Sequence, residues 1–255
     1  MSSAAAPAGS NRAFGFFDAT IVKKAIVAVT GVAMFGFVAG HLLGNLQVFL
    51  GPEAINRYGR FLQTNKEILW PVRIGLLGMV ALHIWSAVKL SAENKAARPI
   101  GYLDNPVPVA ASYASRTMLM SGLIIAAFVI YHLLHFTLKV PEVNLVKEPS
   151  VRDFKTLIVY GPGLHPIEQG QDIYRMMIVG FRVPFVSGFY ILAMALLCLH
   201  LSHGVSAAFQ SLGLKNQVYG PLIDRFAKTV AWVIFLGYIS IPIAVLLGYG
   251  KEALK

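Results

Sequence analysis

Charge is scarce in this chain and cysteine nearly absent. Of 255 residues, 13 % are Asp, Glu, Lys or Arg, about half the roughly 25 % of a soluble domain. With 56 % apolar residues and a mean hydropathy of +0.63, neither a disordered chain nor a soluble enzyme fits. The single cysteine, Cys198, excludes a disulfide framework and a Cys-ligated zinc or iron–sulfur site. No C-x-x-C-H occurs, so covalently attached c-type haem is excluded too. Acids are the rarer charge, 12 against 22 Lys and Arg. In so apolar a chain this excess points to membrane surfaces or bound anions, and no nucleic-acid partner is expected.

Long uncharged stretches are what the chain does have. Ala25–Pro52, Thr117–Leu138, Val183–Leu214 and Thr229–Gly250 contain no acid or base, and Ile74–Val88 extends back to Ile68 at the cost of Arg73 alone. About 20 residues cross a bilayer core. The expected fold is therefore all-α, an integral membrane bundle of five transmembrane helices at about 22–50, 68–90, 116–138, 176–210 and 226–250. Residues 1–17 read as a loose tail before one membrane domain, 18–255, with Asp18 as the first N-cap. The first apolar run is too long and starts too late for a cleaved signal peptide, and it lacks a cleavage site leading into a soluble domain. The longest connection, Lys139 to Arg175, carries Pro141, Pro149, Pro162 and Pro166 and should form an ordered loop or short surface helix.

Charge counting leaves the direction open. With the N-terminus inside, ten Lys and Arg face inward and twelve outward. Five of the outward ones (Lys139, Lys147, Arg152, Lys155, Arg175) share the long connection with five acids.

Six of the seven histidines fall inside the expected spans: His41, His83, His132, His135, His200 and His203, with His165 in a loop. Ionisable groups in a bilayer are costly and usually functional, although one buried histidine alone would read as a hydrogen-bonded packing residue. At about 1.5 Å per residue, His41 and His132 lie roughly 10–15 Å from one face, and His83 and His200 roughly 20–35 Å from it. That makes two levels about 15 Å apart. Two cofactors stacked across the membrane, each clamped by two helices, satisfy this pattern.

The chain also echoes itself. Thr30-Gly31 precedes His41-Leu42-Leu43 at the same interval as Ser121-Gly122 precedes His132-Leu133-Leu134, with Phe37-Val38 and Phe128-Val129 at one offset. Leu82-His83 and Leu199-His200 are each followed four residues on by a small residue, Ala87 or Gly204. Such a residue leaves room for a flat macrocycle beside the helix, although small residues are common wherever membrane helices meet. Bis-histidine ligation between helices suits b-type haem. The competing site is a non-haem di-iron or copper centre on the two H-x-x-H pairs, His132/His135 and His200/His203. Such a centre would want carboxylates, and none lies within the expected spans. With haem, His135 and His203 become neighbours of the ligands, propionate contacts or packing residues. Arg73 and Arg182 at one face, and Lys23, Lys24 and Arg116 at the other, could meet propionates or extend to lipid headgroups.

These motifs resemble one family, the diheme cytochrome b membrane anchors of succinate:quinone oxidoreductases (succinate dehydrogenase or fumarate reductase). The likeness covers nearly the whole chain: Gly40-His41-Leu42, Leu82-His83, Tyr131-His132-Leu133, and His200-x-x-x-Gly204 followed by Gly213. Ala87 departs from the glycine common in relatives. The resemblance implies two b haems ligated by His41 with His132 and His83 with His200, the glycine selecting His200 over His203. It implies a flavoprotein subunit and an iron–sulfur subunit as partners, electron exchange with a quinone, usually menaquinone, and a place in respiration and the tricarboxylic acid cycle. It also implies a bacterial cytoplasmic membrane with the N-terminus in the cytoplasm, and a quinone site near Glu67, Arg73 or an Asn56–Gln63 loop. The anchor of another respiratory complex, such as a formate dehydrogenase or hydrogenase, fits the histidines but fits the glycine pattern less well. A transporter with a histidine proton relay is the reading from another class.

Overall fold

The structure, a computed structural model, describes residues 19–97, 113–160 and 169–254. The expected tail, the Asp18 cap, Arg12, Arg98 and His165 lie outside these residues. The chain is 82 % helical and holds five helices long and apolar enough to cross a membrane, so the all-α five-helix bundle is borne out.

Helix α1 (Thr20–Leu46) runs into a tight turn at Gln47–Leu50. Helix α2 (Pro52–Thr64) follows, then α3 (Lys66–Ala96), the one-turn α4 (Tyr113–Arg116) and α5 (Met118–His132). The end of α5 widens into a π-type turn over Leu133–Thr137, where the Leu138 N–H donates to the Leu133 carbonyl at 2.7 Å. The one-turn α6 (Pro149–Arg152) leads to a small antiparallel ladder, β1 (Ile158–Tyr160) on β2 (Gln169–Gln171), with Ile158 opposite Gln171. Helices α7 (Ile173–Phe181), α8 (Pro184–Ser211) and α9 (Gly220–Leu246) complete the order.

Two elements differ from the sequence reading for local reasons. The fourth span does not start at 176. The chain breaks at Arg182-Val183, because Pro184 has no N–H to continue α7 and instead opens α8 as its first residue. Residues 56–63 are not a loop but most of α2, which begins with Pro52 and Glu53, a proline and an acid placed where a helix N-terminus favours them.

Within the bundle α1 packs against α3 and α8, α5 against α8, and α9 along α8. Lipid tails are as apolar as Leu, so close fit rather than hydrophobic transfer holds such helices together. Ala227 and Ala231, both fully buried, let α9 approach closely over Leu42, Cys198, Leu201 and Val205. The α3 surface facing outward (Trp70, Ile74, Leu77) stays bare in the isolated chain, as a lipid-facing stripe should. Tyr238 and Tyr249 donate to the Val38 and Val48 carbonyls at 2.8 and 2.9 Å, tying α9 and the chain after it to α1 and the turn beyond it.

One end of the bundle is capped by its own chain. Val146, Val151, Phe154 and Leu157 form a small core with Met176 and Val179 of α7. Asn56 pins α2 to this cap: its amide donates to Asp172 Oδ1 at 3.1 Å and its carbonyl accepts from the Tyr174 N–H at 3.0 Å. At the opposite end Lys23 of α1, 1 % exposed, pairs with Glu93 of α3 at 2.7 Å, and Lys215 pairs with Asp224 at 2.7 Å. Glu67, Glu93 and Asp224 thus fall inside helices longer than expected, near their ends.

Candidate functional site

The structure places four histidines from four helices as two facing pairs. His41 of α1 meets His132 of α5 with ring centroids 5.8 Å apart and planes at 82°. His83 of α3 meets His200 of α8 at 6.4 Å and 62°. Two imidazoles sharing one metal ion, with bonds of about 2.0 Å each, have centroids about 6.3 Å apart, so both pairs have the spacing to hold one. The helices carrying partners make no extended contact with each other, neither α1 with α5 nor α3 with α8. The rings therefore face across gaps, and no third His, Cys, Asp or Glu joins either pair among the described residues.

The pairs lie at different depths, which the side-chain contacts measure. A Cβ on Gly31 would sit 3.3 Å from His83 Cε1, and one on Gly122 would sit 3.3 Å from His200 Cε1. Gly31 and Gly122 thus mark the level of the second pair on α1 and α5. His41 and His132 come ten residues further along those helices, which is about 15 Å at helical rise. The first pair lies toward the capped end and the second toward the Lys23–Glu93 end.

These contacts also explain the repeated Thr/Ser-Gly dipeptide, which the sequence shows but whose purpose it hides. Each dipeptide serves the pair at the other level, not the histidine on its own helix. The glycine lets the imidazole of the neighbouring helix lie against the backbone. The preceding hydroxyl takes the ring's Nδ1: Thr30 Oγ1 to His83 Nδ1 at 3.1 Å, Ser121 Oγ to His200 Nδ1 at 3.4 Å. Thr30 Oγ1 donates to the Ile26 carbonyl at 2.6 Å and Ser121 Oγ to the Met118 carbonyl at 3.1 Å. With its proton committed there, each hydroxyl accepts from Nδ1–H, which leaves Nε2 as the unprotonated, metal-binding nitrogen.

The two H-x-x-H pairs now separate. His135 is fully buried, its Nδ1 is 3.0 Å from Tyr190 Oη, and its ring stacks on Phe136 at 3.9 Å. It sits in the widened turn after α5, with its ring among Phe136, Phe154 and Tyr190. His203 is part-buried on α8. Neither histidine joins the facing pair beside it. His41 itself stacks on Phe37 at 5.4 Å.

Other expected site residues are placed as follows. Arg73 is exposed, lying over the Trp70 ring at 5.5 Å, and Arg182 is exposed at the capped end. Lys23 is spent on Glu93, whereas Lys24, Lys89, Lys95, Arg225 and Lys228 at the same end are exposed. Asn56 is committed to the cap and leaves the quinone-site candidates; Glu67 stays exposed. The residue that sequence reasoning missed is Tyr190, whose hydroxyl lies between His132 and His135. Nothing in its spacing or charge sets it apart from the chain's other tyrosines.

No family model, curated protein or solved structure matches this chain. Fold and site by themselves define a class: a five-helix, multi-pass membrane bundle holding two facing histidine pairs at separate depths.

Proposed function

We propose that this chain is the membrane cytochrome b subunit of a succinate:quinone oxidoreductase, carrying two b haems. It would pass electrons between an iron–sulfur subunit and a quinone, menaquinone in the usual case, and anchor that subunit and a flavoprotein. The observation that carries the reading is the two histidine pairs, each bridging two unpacked helices at the spacing of a shared metal ion. His41 with His132 and His83 with His200 are the residues that would hold the haems. A haem held by each pair would supply one-electron exchange.

The chain's own residues do the rest. Thr30 and Ser121 hold the protons of His83 and His200 on Nδ1, so that Nε2 is free to bind. The cap closes the end near His41 and His132, whereas the other end presents Lys24, Lys89, Lys95, Arg225 and Lys228. That basic end supports docking of the iron–sulfur subunit there, in the cytoplasm of a bacterium, with the N-terminus on the same side. Electrons would then enter at His83/His200 and leave near His41/His132, beside Glu67 and Arg73.

The test is purification from the native membrane followed by addition of succinate. Co-purifying flavin with succinate-driven reduction of b-type bands is the expected result. Reduction by formate or hydrogen instead assigns another respiratory complex, and a colourless preparation removes the redox reading.

A further inference from the structure

The two pairs are held by different devices, and the difference lies in a buried tyrosine. Tyr190 of α8 is 7 % exposed, edge-on to Phe128 and Phe181 at 5.0 Å each. Its hydroxyl has two imidazole neighbours, His135 Nδ1 at 3.0 Å and His132 Nδ1 at 3.4 Å. A hydroxyl between two ring nitrogens donates to one and accepts from the other, so the chain of bonds can run in either of two directions.

Metal binding selects one. For His132 to bind through Nε2, its proton must sit on Nδ1 and be donated to Tyr190 Oη. The Tyr190 proton then goes to His135 Nδ1, and His135 keeps its own on Nε2. That nitrogen is buried without a partner among the described residues, and a Cβ on Gly180 would lie 3.2 Å from it, so the ring edge is set against the α7 backbone. The opposite direction would put the His132 proton on Nε2 and close that nitrogen to metal.

Resting on the proposed haem reading, we infer that Tyr190 and His135 are positioning residues that set the tautomer and ring orientation of His132, and through it tune the capped-end centre alone. His135 also stands 5.6 Å from Phe154 of the cap core, so the chain joins that centre to the cap. The second pair, served by Thr30 and Ser121, has no part in it.

The test is a potentiometric titration of the two b centres in the whole complex, with ferric spin-resonance spectra, in wild type, Tyr190→Phe, His135→Leu and His135→Asn. Without an acceptor for its Nδ1–H, His132 donates less charge to ferric iron. The capped-end couple should therefore rise three- to tenfold in its reduction equilibrium, about 30–60 mV for one electron, with a changed spectral anisotropy. The other couple should stay in place. His135→Leu keeps the Tyr190 hydroxyl as acceptor but takes away the acceptor of its proton, so it should move the same couple in the same direction by less than Tyr190→Phe does, and His135→Asn, which returns an acceptor near the Nδ1 position, should bring it back toward wild type. Selective loss of the capped-end haem from Tyr190→Phe supports the same role. Two haems with both couples at wild-type values, or both couples moving together in Tyr190→Phe and His135→Asn alike, overturns the inference and leaves the haem reading standing. A wild-type protein without haem overturns both.

Discussion

Gly31→Ala offers a sharp test, because position along the chain and position in space give opposite answers. Gly31 shares α1 with His41, so proximity in sequence assigns its effect to the capped-end pair. The structure puts the new methyl against His83, with the ideal Cβ 3.3 Å from Cε1 and 3.8 Å from Nδ1. Ordinary contact begins at 3.4 Å, so the ring or the helix must give by a few tenths of an ångström. Metal-site distances tolerate about 0.2 Å, and overpacking of this kind costs about 1–3 kcal/mol. At about 1.4 kcal/mol per tenfold, haem retention at His83/His200 should fall roughly 5- to 150-fold. Gly122→Ala, which meets His200 at the same 3.3 Å, should strike the same centre from another helix. Gly188→Ala, whose methyl meets nothing within 4 Å, serves as control. Haem extraction with potentiometric titration reads the result. Should Gly31→Ala spare the His83/His200 centre and disturb the other, the depth assignment collapses.

The remaining expectations are brief. His200→Ala should lose the haem at the Lys23–Glu93 end and keep the other, and His132→Ala the reverse, while His135→Ala and His203→Ala keep both; haem counts decide, and loss of a haem from His203→Ala with retention in His200→Ala shows the wrong fourth-helix ligand. Axial ring planes at 82° bring two iron orbitals closer in energy than planes at 62° do, so the ferric capped-end centre should give the more anisotropic low-spin signal; two identical spectra would count against the ring geometry. Outside the spans, burial first, then Tyr249 and Glu252, push the Tyr174 hydroxyl up to about 12. The unfolded group ionises near 10, so the cap keeps this contribution below pH 10 and loses it as pH rises toward 12. Tyr174→Phe should flatten that loss in thermal-melt midpoints, and an unchanged pH profile would refute it.

Much of this arrangement can be read in the sequence because a bilayer simplifies the code. Uncharged runs mark the spans, and helical rise converts the places of His41, His83, His132 and His200 into the two depths that Gly31 and Gly122 measure. What stays hidden is set by three-dimensional approach. Thr30-Gly31 and Ser121-Gly122 stand out as a repeat, yet only the crossing of α1 with α3 and of α5 with α8 shows which ring each supports. Likewise Tyr190 lies 55 residues from His135, and only the packing of α8 against the chain after α5 brings them into hydrogen-bond distance. The break before Pro184 and the N-terminal Pro52 and Glu53 of α2 were readable by ordinary helix-boundary rules. Hydropathy averaging runs straight over the first. The second sits in a short amphipathic segment that no spanning criterion selects.

The central claim is that each histidine pair binds one haem, and the measurement that meets it directly is haem content per chain. The purified protein is quantified, its haem extracted as the pyridine complex, and a dithionite-reduced minus oxidised spectrum recorded. The account expects two haem b per chain, both low-spin and six-coordinate. One haem per chain, a high-spin ferric spectrum in intact protein, or a colourless preparation would contradict it.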